Sequence, residues 1–301
     1  MLARSKTKKG LKVKEILSNL ENLWEGLDKL LSSISPNDWQ KKHGKDWIMA
    51  DVPYHLSYFD KGLVYFALKK GKKYPKKKQV VMKTMRQLNN WNAFMFKMRP
   101  KKQSVEKSLR QMRQSRNLIR KVLEKMKDSN LKDKVFVPLP GMGWISAEEA
   151  LLGLIGHTWN LLMQLRIHLK RNEPLPLPSV TKKALGMYME LMGMFLNKSE
   201  ALKIKEFRAI FDFVGEYNGV FSIKVKNDQF EVVERKVNNP NLVMSQSIET
   251  FVKTINNIQS PFLAMLLGRI KVKGFFSLNK FAKLFPEPFP NTIIPSKEIP
   301  T

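Results

Sequence analysis

The chain has 301 residues, 43% apolar and 27% charged, which is enough to bury a core and too apolar for wholesale disorder. It contains no cysteine, so disulfides, cysteine–zinc clusters, iron–sulfur ligation and a thiolate nucleophile from the chain itself are excluded. Its 54 lysines and arginines against 26 aspartates and glutamates leave a net charge of +28, and no apolar run reaches the roughly 20 residues of a membrane-spanning helix.

The charge is uneven: residues 61–134 hold 24 basic and 4 acidic side chains. Such a field attracts nucleic acid, anionic membrane surfaces or acidic proteins. No recognition motif accompanies it, so a lysine-rich solvated surface is the simpler reading and nucleic acid the lesser candidate partner. The basic start of the chain is not a secretory signal, and a cytoplasmic location is expected.

In chain order, Leu11 to Ser32 carries Ile16, Leu20, Leu23, Leu27 and Leu30 at helical spacing. A second helix runs from an Asp51 N-cap to about Lys70, with Pro53 in its first turn. A third region covers Val80 to Met98, then Ser104 to Lys127 after Pro100. There Val105, Leu109, Met112, Ile119, Leu123 and Met126 follow a bundle seam. Arg116 interrupts that seam. Its simpler reading is a long side chain reaching out to solvent; the sharper one is an internal cation for an anionic ligand. A fourth helix opens at Ser146 with a capping-box pattern, Glu149 standing three residues on, and runs to about Arg171.

The prolines of 172–179 forbid helix and strand pairing and mark a connector. Beyond it the sequence predicts helical material from Val180 to about Gly215. Strands follow at Val220–Lys226, Phe230–Arg235 and Leu242–Met244, with Asn227-Asp228 as a turn. Ser247 caps a helix to about Asn256. A helix at Pro261–Leu267, a strand at Ile270–Gly274 and a helix at Ser277–Phe285 complete the pattern. The fold class is therefore an α four-helix bundle (10–171), a linker (172–179), an α+β domain with an antiparallel sheet and covering helices (180–286), and a tail (287–301).

Two segments carry a resemblance. Trp47 through Phe59, with His55 eight residues after the tryptophan, together with Gly156-His157-Thr158-Trp159 and Gln164, resembles the DinB-like four-helix family. Asn89-Asn90-Trp91-Asn92 sits where that family's third helix commonly begins. Tyr217 to Val225, Asn241 to Ser245 and Leu267 to Gly274 resemble the sterol carrier protein 2 family. The two in this order are similar to the mycothiol-dependent maleylpyruvate isomerase group. That resemblance implies a bundle metal site with one ligand on the second helix and two, at i and i+4, on the fourth. Here His55 and His157 match two positions, but Leu161 stands four after His157 and cannot coordinate. Asn160 is a poor ligand, and His168 lies roughly 16 Å further along the axis. His43 precedes the helix.

His55 falls on the stripe of Val52, Phe59, Leu63 and Phe66 and points inward. A lone inward histidine is more often a hydrogen-bonded core residue than a ligand, so no cofactor is assured and a weakly bound divalent metal is the only candidate. Lys107, Arg110, Arg113 and Arg120 form a solvated face and are the candidate anion-binding residues. The sterol-carrier resemblance implies an apolar tunnel, lined by Phe221, Ile223, Phe251, Phe262, Met265, Leu266, Phe276 and Phe281. The leading expectation is therefore non-catalytic binding or transfer of a lipid-like small molecule. The alternative is a metal- and thiol-cofactor-dependent transferase or isomerase, and a second alternative is a binder of nucleic acid or of anionic membrane surfaces.

Overall fold

The computed structural model describes residues 12–42, 47–70, 85–98, 103–138, 143–170, 175–256 and 258–286. His43, the lysine cluster of 72–78, part of the proline-rich connector and the tail 287–301 lie outside them. The chain forms two compact units, residues 10–158 and 159–291. The division falls inside a helix and not at the prolines. Pro178 opens a helix, where its missing N–H is one that a first turn leaves unpaired anyway.

The first unit is mostly helical. Helix α1, Val13–Ser32, buries Ile16, Leu20, Leu23, Leu27 and Leu30, the stripe that the 3–4 spacing marks. Helix α2, Asp51–Tyr58, passes into a π-helical stretch, Phe59–Tyr65, and then α3, Phe66–Lys70. The expected uninterrupted helix is thus broken by a wider turn. Asp51 is its first residue and not its N-cap, and its carboxylate accepts the Ile48 N–H at 2.9 Å. Helix α4 is Met85–Lys97, and α5 is Val105–Glu124 with Ser104 accepting the Lys107 N–H. Helix α5 packs against α1, α2 and the π-helical stretch.

An antiparallel hairpin, β1 Lys134–Val137 and β2 Gly143–Ser146, follows. The helical reading of this half had no place for it, although Val135, Phe136, Val137 and Ile145 are buried as a β-rich segment should be. Helix α6, Ala147–His168, begins on the expected capping box. The Ser146 N–H donates to Glu149 Oε2 at 2.7 Å, and the Glu149 N–H to Ser146 Oγ at 3.2 Å.

The second unit takes the C-terminal part of α6, then α7, Pro178–Met192, and a short α8, Lys198–Ala201. Its sheet comprises β3 Phe207–Phe213, β4 Gly219–Lys226, β5 Gln229–Val233, β6 Leu242–Gln246 and β7 Ile270–Lys273, in the order β5-β4-β3-β6-β7. Two expectations are corrected. The central strand β3 lies in the stretch expected to be helical. Phe207, Ala209, Phe211 and Phe213 are buried at period two, with Ile210 buried on the other face, and that pattern outweighs the helical run before it. The sheet is also mixed and not antiparallel, because β3 and β6 pair in parallel, Ala209 opposite Leu242 through Phe213 opposite Gln246. Asn227 and Asp228 turn β4 into β5 with φ of 49° and 59°, a two-residue turn of the kind that suits strand twist. Helix α9, Ile248–Ile255, is capped by Ser247; α10, Pro261–Leu266, and α11, Leu278–Leu284, complete the unit. Among the described residues no helix is long and apolar enough to cross a membrane.

Candidate functional site

The first unit brings two of the histidines together. His55, on α2, is 3% exposed, and its Nε2 lies 3.0 Å from Nε2 of His157 on α6. The rest of the chain of contacts decides which nitrogen carries which proton. Tyr58, one turn after His55, donates its hydroxyl to Asn92 Oδ1 on α4 at 2.7 Å. The Tyr58 oxygen is then free to accept from His55 Nδ1–H at 2.9 Å. His55 Nε2 is left bare and accepts from His157 Nε2–H. His157 Nδ1 becomes a second bare nitrogen, buried and without a hydrogen-bond partner.

Aromatic rings fix both imidazoles. Phe59 stacks on His157 with centroids 3.8 Å apart and planes at 15°. Trp47 lies 4.8 Å from His55 and packs edge-on to Phe96 at 4.5 Å. This apolar collar has an electrostatic effect: burial pulls His157 down to about 4, so the ring is neutral near pH 7. Burial, and the nearby Tyr54 phenol, push Tyr58 above the usual tyrosine range, so it stays a hydroxyl.

A metal on both rings would require the His157 proton to leave Nε2 for the unpartnered Nδ1; the two Nε2 atoms, 3.0 Å apart, would then fit neighbouring positions on one ion, since zinc–nitrogen bonds run about 2.0–2.1 Å. The Tyr58 oxygen on the far nitrogen of His55 is the kind of second contact that orients a metal-binding histidine. The described residues place no third His, Asp or Glu with this pair. Asn160 and Gln164 belong, like Asn256, to the second unit, and both donate to Asn256 Oδ1, at 3.1 and 2.8 Å. His168 is exposed.

A second buried polar group lies beside the π-helical stretch. Arg116 on α5 is 3% exposed, which corrects the expectation that it reaches solvent. Its Nη1 donates to Asp28 Oδ1 on α1 at 3.0 Å, and its Nε stands 3.8 Å from Asp60 Oδ2. Neither Asp60 oxygen has a hydrogen bond, nor do Arg116 Nε and Nη2. Burial pushes Asp60 up to about 7, with Arg116 pulling against it. The same burial lowers Arg116, with Asp60 and Asp28 pulling the other way.

Of the four candidate anion-binding residues, Arg113 and Arg120 are engaged in the α1–α5 seam. Arg113 reaches Asp28 at 3.4 Å, and Arg120 reaches Glu21 at 3.0 Å while lying over the Trp24 ring. Lys107 and Arg110 are exposed. The eight residues expected to line a tunnel do not share one environment. Phe221, Ile223 and Phe251 are buried, Phe221 and Phe251 both packing edge-on to Phe213. Met265 and Phe281 are half-buried. Phe262, Leu266 and Phe276 are exposed, because six-residue α10 buries only Ala264 and Phe276 stands on a surface turn.

Sequence reasoning did not assign Tyr58, Asn92 or Asp60 a role. Tyr58 was within reach, as a hydroxyl one helical turn from an inward histidine; Asn92 and Asp60 carry no local signal.

The family model of the DinB superfamily matches residues 19–164, a span that contains both His55 and His157. The helical first unit is thus DinB-like. The fold of the chain is similar to the crystal structure of the mycothiol-dependent maleylpyruvate isomerase, with a TM-score of 0.50 and 11% identity over 87% of this chain and 93% of that one. A histidine-to-alanine mutant of that isomerase matches with a TM-score of 0.50, 10% identity and the same coverage. At such identity the likeness is one of fold. No curated protein matches the sequence.

Proposed function

We propose that the protein is a thiol-cofactor-dependent transferase or isomerase, with the His55–His157 pair as its chemical centre in a four-helix bundle. The observation that carries this reading is the convergence of the two Nε2 atoms to 3.0 Å inside an apolar collar. The DinB-like match and the likeness to a mycothiol-dependent isomerase support it. The chain has no cysteine, so a reacting thiol comes from a small-molecule cofactor. A divalent metal on the two imidazoles would lower the pKa of a thiol or water bound beside it.

The chain's own residues do the positioning. Asn92 and Tyr58 hold the proton on His55 Nδ1 and so present Nε2 inward. Phe59 fixes the His157 ring, and Trp47 and Phe96 keep water from the His55 face.

The test is metal analysis of protein prepared without chelator, paired with an assay of maleylpyruvate isomerisation in mycothiol. The expected result is a stoichiometric divalent metal, lost in His55→Ala and in His157→Ala, and turnover that requires the thiol. A folded protein that takes up no zinc, nickel or iron, and whose turnover is indifferent to either substitution, overturns the proposal.

A further inference from the structure

The second unit carries a surface that the isomerase reading does not use. Between Ile258 and Phe276 the exposed large apolar side chains include Phe262, Leu263, Leu266, Leu267, Phe275 and Phe276, the last 98% exposed. Monomer surfaces seldom concentrate so many in so short a segment without a partner. The segment's architecture keeps them outside. Helix α10 packs on β7, the edge strand of the sheet, and buries only Ala264. Gly274, at φ 84°, then turns the chain so that Phe275 and Phe276 stand on a short 3-10 turn.

The charge around these residues states what the surface fits. From 258 to 286 the chain has five cations, Arg269, Lys271, Lys273, Lys280 and Lys283, and no aspartate or glutamate. All five are exposed. Protein–protein interface cores are depleted in lysine, whereas phenylalanine and leucine interleaved with lysine and arginine match the boundary of an anionic bilayer. There rings enter the headgroup region and cations meet lipid phosphates.

We propose that α10, β7 and the Phe275–Phe276 turn form a docking surface for anionic lipid bilayers. The test is co-sedimentation of the full chain with phosphatidylcholine vesicles, with and without phosphatidylglycerol. The protein is expected to bind the anionic vesicles at low salt, to leave neutral ones in solution, and to release as salt rises. Lys271→Glu and Lys273→Glu should each weaken partitioning by about fivefold or more.

Because charge elsewhere on the chain also attracts anionic vesicles, Phe275→Ser/Phe276→Ser is the deciding variant. Both side chains are exposed, so folding is spared, and partitioning should fall roughly tenfold or more. Unchanged binding by that double variant overturns the proposal, as does equal binding to neutral vesicles. A concentration-dependent dimer abolished by the same variant would assign the surface to a second copy of the chain instead. None of these readouts depends on catalysis, so the outcome is separate from that of the isomerase reading.

Discussion

Asp60 is a buried carboxyl with only one guanidinium near it, and Asp60→Asn tests what that burial does. The carboxyl is 1% exposed, has no hydrogen bond, and faces a single guanidinium nitrogen at 3.8 Å. Desolvation outweighs that attraction and pushes it from 3.8 up to about 7. A raised folded-state pKa means that the native chain holds a proton the unfolded chain has released. The stability that this one group contributes is therefore fully present below pH 4 and is lost as pH rises through 7. Between pH 5 and pH 8 this one group should remove about 2–3 kcal/mol, following from the two pKa values just given. Asparagine cannot ionise, so the variant should lack this slope. At pH 5 it should match the parent or fall about 1 kcal/mol below it, since an amide there still lacks partners. At pH 8 it should be the more stable by about 1–3 kcal/mol. Urea unfolding at both pH values, read as the change in the parent-to-variant difference, isolates Asp60 from every other titrating group. A difference that stays constant from pH 5 to pH 8 would refute the reasoning. It would mean that Asp60 is ionised throughout and the Arg116 pair is worth more than its desolvation.

Three further substitutions test the fold and the site. Gly274→Ala places a Cβ 2.1 Å from the Asn241 carbonyl oxygen at a φ of 84°, and should cost more than about 2 kcal/mol in a urea midpoint, against the few tenths usual for a surface change. Ser146→Ala removes the side-chain acceptor for the Glu149 N–H at the head of α6, and thermal melting should show a loss of about 1 kcal/mol. Tyr58→Phe takes away the oxygen that joins His55 Nδ1 to Asn92 Oδ1. The cost should be about 1–3 kcal/mol, and calorimetric titration should show metal affinity down about 10–100-fold.

What could be read from the sequence was what neighbouring residues decide. The capping box at Ser146 and Glu149, the stripe of α1 and the Asn227-Asp228 turn are all set within a few residues, and all stand in the structure. Strand β3 was legible in principle from Phe207, Ala209, Phe211 and Phe213, but a helical run up to that point masked the change of period. Its parallel pairing with β6 joins segments some thirty residues apart in the chain, and no local pattern encodes that. Arg116 shows the limit most clearly. Its interruption of an apolar seam reads as exposure until Asp28, 88 residues earlier, and Asp60 are seen to meet it. The same holds for the site: two histidines can be matched to a pattern one by one, but Asn92 becomes part of it only when α4 is laid beside α2.

The π-helical stretch ties these two buried polar groups to one piece of backbone. His55 and Tyr58 belong to the last turns of regular α2, and Phe59 and Asp60 are the first residues of the wider turn. Phe59 stacks on His157, and the next residue, Asp60, meets Arg116. A regular helix keeps a fixed angular step between neighbours; an i→i+5 turn changes that step locally, and such turns occur often at functional sites. The two consecutive side chains meet separate buried partners, Phe59 one on α6 and Asp60 one on α5.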